Sequence, residues 1–234
     1  MTNSNPSTLA PKFTTEPLTE QCQTVCARGE HALVGVSPGN SYFSEERLTE
    51  LLGWAASQFR HVDVMIPDSA QLHTWLALGY APGRARRKAY GEASRIYNRV
   101  TRAWQAVGAP EDVVFGLHRL SEIEVRPAYR SLLRRTEDAL DADAETRESY
   151  HRVVRQVLRN HLNGADPTEA QTAEAARYLI AETPFLIDTP QVMEVAASTA
   201  IYQHRVEFID RIYAEQTPLR RQEQQAFVVV RPVS

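Results

Sequence analysis

The chain has 234 residues, enough for one domain with a sizeable core or at most two small ones. Hydrophobic residues make up 43% and charged residues 24%, a balance that excludes wholesale disorder. No apolar run approaches the roughly 20 residues that span a bilayer, and no basic stretch followed by an apolar one opens the chain. The expectation is a cytoplasmic protein without a membrane helix or secretory signal. Cys22 and Cys26 are too few for a disulfide framework or a four-ligand zinc site. They read as reduced thiols on one turn of helix, and no metal is expected.

Residues 1–20, rich in Ser, Thr, Asn and Pro, read as a flexible tail, and residues 21–234 as a single domain. His31 to Val36 reads as a buried strand. Ser44 then caps a helix with Glu45 and Glu46 in its first turn and Leu48, Leu51, Leu52, Ala55 and Phe59 on its apolar face. Val62 to Ile66 is a second strand, stopped by Pro67, and a helix to about Ala77 follows. A turn over Gly79 to Gly83 leads into a long helix ending near Val107. Val113 to Leu117 is a third strand. Helices are expected over 127–140, 144–162 and 167–182, and last strands over 192–197 and 227–230. Strands alternating with helices indicate an α/β fold, Rossmann-like, with a mainly parallel sheet and helices on both faces. In such sheets ligands bind beyond the carboxyl ends of the strands, where Ser37 stands.

Charge is unevenly spread. Between Arg84 and Arg102 seven basic residues face one acid, Glu92, a net +6 in a chain whose total is −3. On a helix Arg84, Arg87, Lys88, Arg95, Arg99 and Arg102 fall within an arc of roughly 120°, beside an apolar stripe of Ala85, Ala89, Ala93, Ile96, Val100, Ala103 and Val107. One stripe packs on the domain, and the other presents charge along about 28 Å, which matches a phosphate backbone. The alternative is a solvated face, but such faces mix signs.

Gly35-Val36-Ser37-Pro38-Gly39 fits the G-x-S-x-G pattern of a nucleophile elbow, and Asp188 and His204 follow in α/β-hydrolase order. Against that reading, Pro38 has no N–H for an oxyanion hole, and the serine follows the first strand. Tyr178 and Glu182, spaced i, i+4, share a helix face. With Pro184 following, Glu182 is expected in the last helical turn, where it would oppose the helix dipole unless a cation lay near. Tyr202 ends an apolar run ahead of Gln203 and His204.

Taken together, these residues resemble the cyclodipeptide synthases. The resemblance runs from about Arg28 to Pro232. It rests on His31-Ala32-Leu33-Val34-Gly35-Val36-Ser37-Pro38-Gly39-Asn40-Ser41-Tyr42-Phe43-Ser44, on Tyr178-Leu179-Ile180-Ala181-Glu182-Thr183-Pro184, on Tyr202 in its setting, and on Ala226 to Pro232. It implies a fold like the catalytic domain of class I tyrosyl- and tryptophanyl-tRNA synthetases without their ATP motifs. In keeping with that, the chain has no P-loop and no H-x-G-H sequence, and no cofactor is implied. The implied activity joins two aminoacyl-tRNAs into a cyclic dipeptide, with no ATP and no membrane involved. The resemblance makes Ser37 the nucleophile, Tyr178 and Glu182 the holders of the α-ammonium, and Tyr202 an aid to proton movement. It marks Leu33, Gly35, Asn40, Met65, Pro67, Tyr129, Phe185, Ala200 and Gln203 as substrate-binding, and the basic helix as tRNA-binding. In one subfamily His follows the catalytic tyrosine and in another Pro; here Gln203 and then His204 follow, while Asn40 fits the first. A serine hydrolase and a non-catalytic tRNA-binding protein are the rival readings.

Overall fold

The computed structural model describes residues 13–233 apart from Ala109. In chain order the elements are β1 (Phe13–Pro17), α1 (Glu20–Ala27), β2 (His31–Gly35), α2 (Glu45–Gln58), β3 (His61–Ile66), α3 (Gln71–Ala77), α4 (Pro82–Val107), β4 (Val114–Arg119), α5 (Leu120–Ile123), α6 (Pro127–Ala142), α7 (Ala144–His161), α8 (Glu169–Met193), β5 (Ser198–Tyr202), α9 (Glu207–Tyr213) and β6 (Gln225–Pro232). The strands form one sheet in the order β1-β6-β5-β2-β3-β4, parallel throughout except for β1.

Both faces of this sheet are covered, so its central strands are apolar on both sides. Ala32, Val34, Val62, Val64 and Ile66 pack on α2 and α4. Leu33, Met65, Ala200, Phe227 and Val229 pack under α1, α6, α8 and α9. The Ser44 side chain accepts a hydrogen bond from Arg47 N and starts α2 there. The alanines of the α4 stripe are fully buried, which lets that helix approach the sheet closely while its basic residues face outward.

The winding fixes where a ligand can sit. From β2 the chain moves outward through β3 to β4, then returns to place β5 on the other side of β2. Connections that leave in opposite directions open a crevice at the carboxyl ends of the two strands between which the order reverses. Those strands are β2, which runs into Ser37, and β5, which ends at Tyr202.

Three sequence expectations are corrected. The tail placed at 1–20 overlaps β1, whose residues pair antiparallel with β6, and Thr19, which caps α1; residues 1–12 lie outside the described residues. The strand expected at 192–197 lies instead at 198–202, because α8 runs on to Met193 and Glu194 turns the chain at φ 58°. The helix expected to stop before Pro184 passes through both Pro184 and Pro190, with one non-helical residue, Asp188. Pro190 has no N–H to bond the Leu186 carbonyl, and the Tyr213 hydroxyl donates to that carbonyl instead at 2.9 Å. Among the described residues no helix is long and apolar enough to cross a membrane.

Candidate active site

Ser37 opens a tight turn at the end of β2. Asn40 N donates to the Ser37 carbonyl at 3.3 Å, with Pro38 and Gly39 in the centre of the turn. Gly39 takes φ 79°, the left-handed value a type II turn needs at that position. The Asn40 side chain accepts from Tyr42 N at 2.9 Å and carries the chain on toward the α2 cap. From the basic helix Arg99 Nη1 donates to the Phe43 carbonyl at 2.6 Å. The serine loop is thus held by β2 on one side and by α4 on the other.

α8 brings Tyr178 and Glu182 to the same crevice. Glu182 is only 7% exposed and stands mid-helix, not in a last turn, so the expected clash with a helix C-terminus does not arise. Burial pushes its carboxyl up to about 7, against the pull of the Tyr178 and Tyr202 phenols that face it. Both phenols are pushed well above their ordinary value, by burial first and then by the Glu182 charge. Ser37 and Glu182 both act on the Tyr178 hydroxyl, yet neither reaches hydrogen-bond geometry: Tyr178 Oη is buried and has no partner among the described residues. A buried carboxyl titrating near neutrality beside an unpartnered hydroxyl is a setting suited to an ammonium ligand.

A cavity of ≈ 440 Å³ joins these groups. Gly35, Ser37, Asn40, Tyr178, Glu182, Tyr202 and Gln203 line it. The Tyr202 ring stands where a Gly35 side chain would point: a Cβ there would lie 3.5 Å from the ring. Of the expected substrate-binding residues, Leu33, Met65, Phe185, Ala200 and Tyr129 lie instead in the core packed on the same sheet face, and Pro67 is also buried. Tyr129 donates its hydroxyl to the Ala181 carbonyl at 2.9 Å, which bears on the α8 turn carrying Glu182. Sequence reasoning missed the opposite wall. Val153, Val157, Asn160 and His161 come from α7, and Gln71 and Trp75 from α3. It also missed Glu92, whose carboxylate accepts from Trp75 Nε1 at 3.1 Å and Gln71 Nε2 at 3.3 Å at the cavity edge.

The six basic residues assigned to the α4 ridge divide into two sets. Arg84, Arg87 and Arg95 are exposed, and their side chains have no ion pair or hydrogen bond among the described residues, Arg84 lying over the Tyr80 ring at 4.9 Å. Lys88 turns toward Glu92, 3.5 Å away, and over the Trp75 ring at 4.0 Å. Arg99 holds Phe43, and Arg102 pairs with Glu45 at 2.8 Å. The hydrolase triad does not form. Asp188 accepts from Gln191 N at the break in α8 and does not line the cavity, while His204 lines it with no hydrogen bond to Ser37 among the described residues.

A family model described as "Cyclodipeptide synthase" matches residues 13–232. A cyclo(L-leucyl-L-phenylalanyl) synthase of Streptomyces noursei is 33% identical over 218 residues, 93% of this chain and 91% of the relative. A cyclo(L-tyrosyl-L-tyrosyl) synthase of Mycobacterium tuberculosis is 31% identical over 223 residues, 94% of this chain and 76% of the relative. A crystal structure of a cyclo(L-leucyl-L-phenylalanyl) synthase superposes with a TM-score of 0.84 at 31% identity, covering 94% of this chain and 99% of that one. A tyrosyl-tRNA synthetase of Archaeoglobus fulgidus shares the fold at a TM-score of 0.52 and 12% identity, covering 92% of this chain and 59% of that one.

Proposed function

Because the chain belongs to the cyclodipeptide synthase family, an aminoacyltransferase family, we propose that it joins two aminoacyl-tRNAs into a cyclic dipeptide by ping-pong transfer through Ser37. The observation that carries this reading is the convergence of Ser37, Tyr178, Glu182 and Tyr202 on one cavity at the reversal point of the sheet.

The steps follow from what each group can do. Ser37 Oγ attacks the carbonyl of the first aminoacyl ester, and the terminal ribose oxygen of the tRNA leaves with the proton. One ester replaces another, so no ATP is consumed. We assign the ribose oxygen as the acceptor of that proton; among the described residues no imidazole is hydrogen-bonded to Ser37. The α-ammonium of the Ser37-bound aminoacyl group lies between Tyr178 and Glu182. Its charge favours ionised Glu182, and Glu182 in turn takes the proton the amine must lose. The neutral amine attacks the second aminoacyl ester, a second tRNA leaves, and a dipeptidyl-Ser37 ester remains. The new amine then attacks that ester, closes the six-membered ring and frees Ser37, with Tyr202 passing the proton. Amide formation from esters is downhill and drives the last two steps.

Apolar amino acids suit the site. Most side chains on the α7 wall are valine or leucine, and the core beneath Gly35 is Leu33, Met65, Phe185 and Ala200. These apolar side chains offer no partner to a charged one, and a buried unpaired charge costs several kcal/mol. Gly35, Asn40 and Gln203 border the substrates, and Tyr129, Pro67 and the core residues shape the floor. The α4 ridge carries the tRNA, and the reaction belongs to the cytoplasm, where charged tRNAs are found. Incubation with charged tRNAs and mass spectrometry of small products tests the reading. A cyclic dipeptide supports it. Free amino acid alone would mean hydrolysis, and bound but unconsumed substrate would mean a binding protein.

A further inference from the structure

Across β2, β3 and β4, His31 and His61 at the starts of their strands and His118 near the end of β4 bring three imidazoles to the Asp63 carboxylate at mid-strand. Asp63 is 2% exposed, and the His31 Nε2 atom lies 3.0 Å from its Oδ2. His61 Nε2 lies 3.1 Å and His118 Nε2 3.0 Å from its Oδ1. The donor atoms of His31, His61 and Asp63 all lie within 4.8 Å of one another.

We propose that His31, His61 and Asp63 bind a divalent transition metal ion of the Zn2+ type, with His118 and Ser198 orienting the ligands. Two nitrogens and one carboxylate oxygen suit zinc, with a water completing the set. Solvent reaches the site, since the side chains of His61 and His118 are 30% and 27% exposed.

The supports are those such a site requires. Ser198 Oγ, buried at the start of β5, lies 2.8 Å from His31 Nδ1 and fixes the ring with Nε2 toward Asp63. Its hydroxyl can donate or accept. It therefore serves both the metal-free tautomer, with Nε2–H donating to Asp63, and the metal-bound one, with Nδ1–H donating to Ser198. His118 fixes the other carboxylate oxygen. Gly116 leaves the space for both: a Cβ there would meet Asp63 Oδ1 at 2.1 Å and His118 Nε2 at 2.5 Å. Binding exchanges the Nε2 protons of the neutral His31 and His61 rings for protons on Nδ1, with none lost overall, and the ion then cross-links β2 to β3.

The test uses untagged, chelator-treated protein. Calorimetry with Zn2+ should show one equivalent bound, and Co2+ should give visible ligand-field bands. His61→Ala, at a half-exposed position, should weaken Zn2+ by at least about 100-fold, and His118→Gln by about 10–100-fold as an orienting residue. Asp63→Asn should abolish the Co2+ bands where it folds. Cyclic dipeptide formation is a separate readout, and His61→Ala should retain it. No stoichiometric Zn2+ binding by the wild type, or equal binding by wild type and His61→Ala, would overturn the proposal.

Discussion

Arg99 Nη1 donates to the Phe43 carbonyl at 2.6 Å, so one charge of the basic ridge is committed to holding the loop that carries Ser37. Reversing Arg99 therefore confounds a binding test with damage to the loop, and reversing Arg102 sets like charges against each other beside Glu45. The clean test of the ridge is Arg84→Glu, Arg87→Glu and Arg95→Glu together. The triple variant should fold as the wild type does and bind tRNA far more weakly. Its log K against log salt should flatten by about 2–3 units, close to one unit for each phosphate no longer neutralised. An unchanged slope in filter-binding titrations would place the tRNA on another surface.

Arg99→Ala makes the complementary prediction. tRNA affinity should fall only modestly, while turnover falls more, because the Phe43 carbonyl loses its tether. Turnover equal to wild type at saturating tRNA would show that the loop needs no help from α4.

Glu182 carries a stability cost that its role explains. Its carboxyl titrates at about 7 in the folded chain against 4.5 ordinarily, so the folded state holds an extra proton between those values. Stability is full below about pH 4.5 and falls as pH rises to 7, by ~3 kcal/mol once the carboxylate is fully charged. Glu182→Gln should raise the melting temperature at pH 8, by roughly 2–4 °C per kcal/mol, and barely change it at pH 4.5. Product should be lost at both. A variant destabilised at pH 8 would show that Glu182 is a structural anchor.

Much of this architecture is legible in the sequence, and what is not has tertiary causes. The strand at His31, the Ser44 cap and the long basic helix follow from local pattern. Pro184 reads as a stop, yet α8 runs on through it and through Pro190, whose missing N–H is made good by the Tyr213 hydroxyl, remote in sequence, at the Leu186 carbonyl. The β1 segment Phe13–Pro17 shows little strand character until β6 lies beside it. In the site, Ser37, Tyr178, Glu182 and Tyr202 are legible from motif. Glu92 shows in the sequence only as the one acid of the basic segment, and the α7 wall carries no local signal, since an amphipathic helix looks the same whether its face meets a core or a cavity. Tyr213→Phe tests the proline account. It should cost about 1–3 kcal/mol by leaving a buried carbonyl unpaired, measured by urea unfolding; an unchanged midpoint would refute it.

The central claim is that Ser37 carries the first aminoacyl group. The most direct measurement is intact-protein mass spectrometry after brief exposure to a single labelled aminoacyl-tRNA, with peptide mapping of the adduct. The account predicts one aminoacyl mass on Ser37, none on Ser37→Ala, and conversion of the adduct to cyclic dipeptide when a second charged tRNA is added. An adduct on Ser37→Ala, or full product from that variant, would contradict it.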